Sequence, residues 1–292
     1  MRLVATLRNR EEIAKLSRLG TDVFLLETDR LTRALGSPFS PEEIIHLARM
    51  IHLRRKKVYV LLNTILHEDD LETAAAFLEA IVKAKIDGVV CYDLSYHPLL
   101  RTLHLENRLI YQPGTYNTNP YDLLFYQNLN LKGITLAREL TIAEIRDFFT
   151  AQHTLELSFS GHGYQEMFHS RRQLLKAYFT HKGINDPASI AESNCFLREK
   201  QRQTEFYPIS EDSFGTQIYR SGKLRSFAYL DEFDLHLADF FLERRYLSDQ
   251  EYYDAISAYR KKRPDSFLEQ YPSGYDEGFF QTPTERVKGD SR

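Results

Sequence analysis

The chain has 292 residues, 42% of them hydrophobic and 27% charged, and its 38 basic and 41 acidic side chains leave a net charge of −3. That composition belongs to a folded globular protein, and the near balance of charge excludes a chain that holds nucleic acid by bulk electrostatics. No apolar run approaches the roughly 20 residues of a membrane span, and the N-terminal MRLVATLRNREE turns polar too soon for a cleavable leader. A cytoplasmic protein with no membrane association is the expectation. The 2 cysteines, Cys91 and Cys195, are too few for a four-thiolate zinc or iron–sulfur site, and a disulfide framework is not expected in a reducing compartment. Cys91 lies in GVVCYD, a buried-strand pattern, and reads as an inert core residue.

Taken in chain order, Leu3–Leu7 reads as a strand, Glu11–Leu19 as a helix closed by Gly20, and Val23–Glu27 as the second strand. Ser40, Pro41 and Glu43 then supply an N-cap, a proline at the first helical position and a capping-box glutamate, with Ile44, Leu47, Ala48 and Ile51 on one face. Lys57–Leu62 is the third strand. From about Asp70 a helix follows whose expected buried stripe is Leu71, Ala74, Ala75, Leu78, Ile81 and Val82. Val89–Tyr92, Leu109–Gln112 and Gly133–Ala137 read as strands four to six, the last followed by a second capping box from Thr141 to Glu144. Thr154–Phe159 is the seventh. The alternation then stops until Asp239–Glu243, the eighth, after which a helix begins near Ser248 with Tyr252, Ile256 and Tyr259 on one face.

Strands alternating with helices specify a parallel sheet with right-handed crossovers, and eight such strands close into a barrel. The rival is an open doubly wound sheet. The barrel is preferred on the strand count and because no glycine-rich phosphate loop follows strand one. The predicted fold is therefore α/β, a (β/α)8 TIM-barrel-like fold with an α+β insertion between strands seven and eight. Residues 1–160 and 238–280 would form the barrel, 161–237 the insertion, and 281–292 a flexible tail.

In such a barrel chemistry gathers at the C-terminal ends of the strands. The polar residues there are Glu27, Asn63, Asp93, Gln112, Arg138 with Glu139, His162 just past strand seven, and Glu243 with Arg245. Any one of these also reads as a helix cap or a surface ion pair. The segment Gly161–Leu175 (GHGYQEMFHSRRQLL) is the most unusual local sequence. On a helix His162, Glu166 and His169 would converge on a metal, but the second half of a di-iron set is not evident, and a solvated helix is the simpler reading, so no metal is assigned. Arg171, Arg172, Arg198, Lys200 and Arg202 could form a basic patch, diluted by Glu199 and Glu205. No G-x-S-x-G elbow, H-E-x-x-H or P-loop occurs.

Together KKVYVLLN (Lys56–Asn63), DGVVCYD (Asp87–Asp93), the Gln112 strand end, AREL (Ala137–Leu140), the GHG around His162, YPISEDSFGTQI (Tyr207–Ile218), LERRYLSDQEYYDAISAYR (Leu242–Arg260) and YPSGYDEGFF resemble, in order, the motifs of the peptidase U32 family. This is the collagenase-like protease group that also includes tRNA- and ubiquinone-hydroxylation accessory proteins. The chain departs from it in carrying Arg244 where glycine is usual. It also has Glu166 and Gln173 where the family's H-G-x-x-C-x(6)-C cysteines stand, with Cys195 a few residues past the last expected position near Ala191. Members with four such cysteines bind an iron–sulfur cluster, so the resemblance implies that this chain binds none. It looks like the short, cysteine-poor paralogue that accompanies a longer, cysteine-bearing one.

What the resemblance implies is an accessory role in prephenate-dependent 5-hydroxylation of the tRNA wobble uridine, in a heterodimer with the longer paralogue, tRNA being met through the complex. In that reading His162, Glu139 and Asp93 are the catalytic candidates, His162 as proton carrier. Asn63, Gln112, Arg138, Glu243 and Arg245 would bind the small anionic ligand, prephenate, with the two arginines as carboxylate clamps. The alternatives are a collagenase-like peptidase, for which no activated nucleophile is evident, and a non-catalytic scaffold subunit.

Overall fold

A computed structural model describes residues 1–33, 36–184 and 195–282 of the chain. In order, the elements that build its frame are β1 (Arg2–Thr6), α1 (Glu12–Leu19), β2 (Val23–Glu27), α2 (Pro41–His52), β3 (Lys57–Leu62), α3 (Leu71–Ile81), β4 (Gly88–Cys91), α4 (Tyr96–Thr102), β5 (Leu109–Tyr111), α5 (Asp122–Asn128), β6 (Gly133–Thr135), α6 (Ile142–Thr150) and β7 (Glu156–Ser170). Then come α7 (Leu174–His181), β8 (Cys195–Leu197), β9 (Tyr207–Asp212), β10 (Gly215–Arg225), α8 (Leu230–His236), β11 (Asp239–Leu242), α9 (Asp249–Lys261), α10 (Asp265–Gln270) and β12 (Tyr275–Asp276). Strands β1 to β7 pair in parallel in sequence order, and β11 pairs in parallel with both β7 and β1, so the eight strands close into a barrel. The expected (β/α)8 TIM-barrel-like fold is the one observed.

Local sequence accounts for the elements. Both expected capping boxes form: Ser40 accepts from the Glu43 N–H and Thr141 from the Glu144 N–H, each glutamate answering back to the cap. The buried stripe of α3 is Ala74, Phe77, Leu78 and Ile81, whereas Leu71 and Val82 are exposed, because the helix ends at Ile81 and the face turns with Phe77 as its anchor. Alternation along the strands sorts side chains into two cores. Val4, Val23, Leu25, Tyr59, Leu61, Val90, Ile110 and Phe241 fill the barrel interior, and the intervening residues pack under the helices. At the N-terminal end the interior is closed by Asp239, fully buried, which accepts from the Tyr59 hydroxyl at 2.9 Å and from Arg2 Nε at 2.6 Å.

The insertion is built on the barrel. Strand β7 runs on past the barrel rim and pairs antiparallel with β10, which pairs with β9 and β9 with β8, giving a four-stranded arm continuous with the barrel sheet. Helix α8 belongs with the barrel, since Leu230, Phe233 and Leu237 lie in the same core as the other helices; the boundary placed at residue 237 falls too late. The segment expected as a possible metal-binding helix, His162 to His169, is strand. Of the predicted tail, residues 283–292 lie outside the described residues, as does Ala191.

Candidate functional site

The inward alternation that fills the barrel continues one layer beyond its apolar core. Above Leu25, Leu61, Val90, Ile110 and Phe241 stand Glu27, Asn63, Tyr92, Gln112 and Glu243, each two residues further along the chain, at the end of its strand or one residue past it. Ser160 of β7 donates to Glu243. The cavity at this mouth, about 50 Å³, is lined by Asn63, Gln112, Arg138, Glu243 and Arg245, together with Arg33, Tyr92, Tyr164, Glu166 and Tyr219. The five residues expected to bind a ligand therefore meet at one cavity.

Three guanidinium groups face that cavity. Arg33, on the segment between β2 and α2, is 3% exposed. Its backbone N–H donates to Asn63 Oδ1 at 2.8 Å, its guanidinium lies 4.7 Å from the Tyr92 ring centre, and its Nη1 donates to the Glu166 carboxylate at 3.0 Å. Arg138, after β6, donates to the Glu166 carbonyl at 2.9 Å. Arg245 stacks on Tyr219 and Tyr246 at 5.5 and 5.2 Å. The Gln112 amide reaches Thr135 Oγ1 at 3.3 Å. Glu27 is 2% exposed; burial pushes its carboxyl up to about 7, against the opposing pull of Arg245 and the Ser37 N–H. A carboxyl poised near neutrality beside an arginine is a group that can hold or release a proton.

The three catalytic candidates do not join this site. His162 is fully buried on the outer side of the sheet. Its ring nitrogens meet the hydroxyls of Tyr259 and Tyr275, each at 3.3 Å, and Phe227 and Phe267 complete the cage. Burial, with the Lys223 charge, pushes the imidazole down to about 3. The cause is a β-bulge: Ser160 pairs with Phe241 and His162 with Leu242, so Gly161 is skipped and the alternation flips. Gly163 adopts φ +92°, and a Cβ there would stand 2.4 Å from the Glu243 carbonyl oxygen, so the bulged path requires glycine. Asp93 faces away from the mouth and caps local turns, accepting from the Ser95 N–H at 2.9 Å and the Leu66 N–H at 3.1 Å. Glu139 is exposed, in the turn after β6, where Arg138 rather than Glu139 lines the cavity.

Nor do the metal candidates converge. Glu166 turns to Arg33, and His169 lies edge-on to Tyr92, its Nε2 3.4 Å from the Phe214 carbonyl oxygen. Among the described residues no three His, Cys, Asp or Glu side chains gather as a metal site. Cys91 is fully enclosed and its thiol is pushed up by burial. Among the described residues no helix is long and apolar enough to cross a membrane.

The sequence pattern described as Peptidase family U32 matches residues 10–283. The chain belongs to peptidase family U32. It is 29% identical over 221 residues to tRNA hydroxylation protein P2 of Bacillus subtilis (strain 168), a match covering 74% of this chain and 70% of that protein. It is 24% identical over 240 residues to tRNA hydroxylation protein P of Escherichia coli (strain K12), covering 68% of this chain and 53% of that protein. The solved structure of the U32 peptidase Mk0906 is similar at a TM-score of 0.51 and 14% identity, over 83% of this chain and 92% of that one, a likeness of fold.

Within the U32 frame the residues at the expected cysteine positions acquire specific surroundings. Glu166 is engaged by Arg33, and the amide of Gln173, the exposed residue just before α7, lies 3.4 Å from the Asp212 carbonyl oxygen. A carboxylate already neutralised by arginine and an amide do not fit the thiolate donor set of an iron–sulfur cluster. Arg244, where the family favours glycine, turns outward and makes a buried pair with Glu12 at 2.6 Å. Burial works against the Glu12 carboxyl, but Arg244 and the Tyr253 hydroxyl bring it down to about 2. Arg33 escaped sequence reasoning because it sits in a loop, where no periodicity points it inward. Glu27 carried such a signal, standing two residues after the inward Leu25.

Proposed function

We propose that this U32 chain is an accessory component of prephenate-dependent 5-hydroxylation of the tRNA wobble uridine, acting with a longer, cysteine-bearing U32 paralogue. The observation that carries the reading is the ring of Arg33, Arg138 and Arg245 around one small cavity, in a chain whose similar relatives bear the name tRNA hydroxylation protein. Guanidinium forks match carboxylates in geometry and charge. In this reading the arginine ring, Arg138 and Arg245 within it, holds the carboxylates of prephenate, Asn63 and Gln112 orient it, and Glu27 takes the proton-carrying role first assigned to His162. Cluster chemistry belongs to the paralogue, as a heterodimeric partner, and tRNA is met through the complex in the cytoplasm.

The peptidase alternative finds little support at the mouth. The Ser160 hydroxyl is committed to Glu243, Cys91 is enclosed, and His162 is locked among aromatic rings. The test is nucleoside mass spectrometry of bulk tRNA from the source organism with and without this gene. Deletion should remove 5-hydroxyuridine and its derivatives, alone or together with deletion of the longer paralogue, and the wild-type gene should restore them. Arg138→Ala should fail to restore them while the protein remains folded. Restoration by that variant would favour the scaffold reading, and an unchanged profile in the double deletion would remove the tRNA role.

A further inference from the structure

The mouth holds a contradiction in size and charge. Its cavity of about 50 Å³ accommodates a few waters, whereas pockets for organic ligands run from about 300 Å³ upward. Yet its wall contains an arginine that is better enclosed than a surface ion pair would need. Arg33 is 3% exposed, its backbone is anchored on Asn63, its guanidinium lies against Tyr92, and its Nε has no hydrogen-bond partner. A buried guanidinium that lines a cavity and keeps one enclosed donor unpaired is an incomplete oxyanion site. The acceptor on its other edge is an internal one: the Glu166 carboxylate, whose side chain is only 12% exposed, on the strand that Arg138 clamps through the Glu166 carbonyl.

We propose that Arg33 is the primary carboxylate-binding residue of the mouth, and that Glu166 is an exchangeable internal carboxylate that fills its subsite until a small dicarboxylate displaces it. One carboxylate of the ligand takes over the edge of Arg33 that Glu166 occupies. The second lies toward Arg138. Movement of the Glu166 side chain out of the mouth supplies the missing volume, and its charge is then left to the rim. The inference rests on the reading of the mouth as the site of a small anionic ligand. It adds which arginine reads the ligand and which internal carboxylate competes with it.

The test is calorimetric titration of the purified chain with malonate as a dicarboxylate probe and acetate as its single-carboxylate control. Because wild type must give up its own ion pair, Glu166→Gln should bind malonate about tenfold more tightly or better, the size expected for loss of one competing charge-assisted bond. Arg33→Gln, alone or with Glu166→Gln, should abolish that binding. Should Glu166→Gln fold poorly with Arg33 left uncompensated, Glu166→Asp keeps the charge while shortening its reach, and should bind malonate more tightly than wild type. Equal malonate affinity in wild type and the Glu166 variants, no binding in any of them, or binding that survives loss of Arg33 would each overturn the proposal. Acetate matching malonate in every variant would overturn the dicarboxylate assignment. None of these readouts requires tRNA. Arg33-dependent exchange with an unchanged nucleoside profile would remove the tRNA role alone, whereas lost 5-hydroxyuridine without exchange would remove this inference alone.

Discussion

His162 and Glu166 lie four residues apart on β7 and end in opposite surroundings. Glu166 lines the mouth beside Arg33, while His162 is sealed behind the sheet among Tyr259, Tyr275, Phe227 and Phe267. Adjacent residues just past the end of β11 repeat the split: Arg245 reaches the mouth, and Arg244 is locked outward against Glu12. Polarity at a barrel strand end is thus not sufficient for a functional role. The direction in which the chain leaves each strand, and the bulge that resets it in β7, decide which polar residue meets the cavity.

The largest expected effect that would sharpen this contrast is on stability. His162→Ala removes an aromatic ring from a filled cage and should cost about 3 kcal/mol, read as a lower urea midpoint. At permissive temperature the tRNA nucleoside profile should be that of wild type. A folded, stable His162→Ala protein that fails to restore 5-hydroxyuridine would reinstate the histidine as functional. The pH dependence has a fixed sign. The folded imidazole stays neutral down to about 3, below its ordinary value of 6.5, so the unfolded chain binds more protons in that interval. Wild type should lose stability as pH falls from about 6.5 toward 3, and His162→Phe should flatten that slope.

Glu27 provides the converse test, a buried group in the layer above the barrel core. Its folded carboxyl titrates at about 7 against an ordinary 4.5, so between those values the folded chain holds the extra proton. Stability from this residue is present below 4.5 and falls as pH rises through 7. Glu27→Gln should therefore raise stability at pH 8 by as much as about 3 kcal/mol and leave it unchanged near pH 4. If Glu27 carries protons for the reaction, the same variant should be more stable and less active. A more stable, fully active variant would confine Glu27 to structure.

Much of the barrel was legible because its signals are local. The cores of all eight strands, both capping boxes and the assembly of Asn63, Gln112, Arg138, Glu243 and Arg245 follow from periodicity, caps and strand ends. What was not legible depends on non-local pairing. The outward turn of His162 requires knowing that Ser160 and His162 face consecutive residues of β11, and the length of β7 requires β10 as a partner. The role of Arg33 depends on a loop crossing the mouth to reach Glu166, two residues 133 apart in the chain.

The smallest expected effect is the sharpest check on direction, because it compares neighbours. Arg138 and Glu139 are consecutive and both were read as part of the site. Arg138 donates into the mouth to the Glu166 carbonyl, while Glu139, in the same turn after β6, is exposed. Glu139→Ala should change stability by no more than about 0.5 kcal/mol, as for a surface substitution without a packed partner. It should also restore the nucleoside profile where Arg138→Ala does not. If Glu139→Ala abolished modification while leaving the fold and malonate titration intact, the outer rim would be part of the functional surface. The residue would then act on something larger than the mouth can hold, such as the partner chain or the RNA, and lining the cavity would no longer be the rule that selects functional residues here.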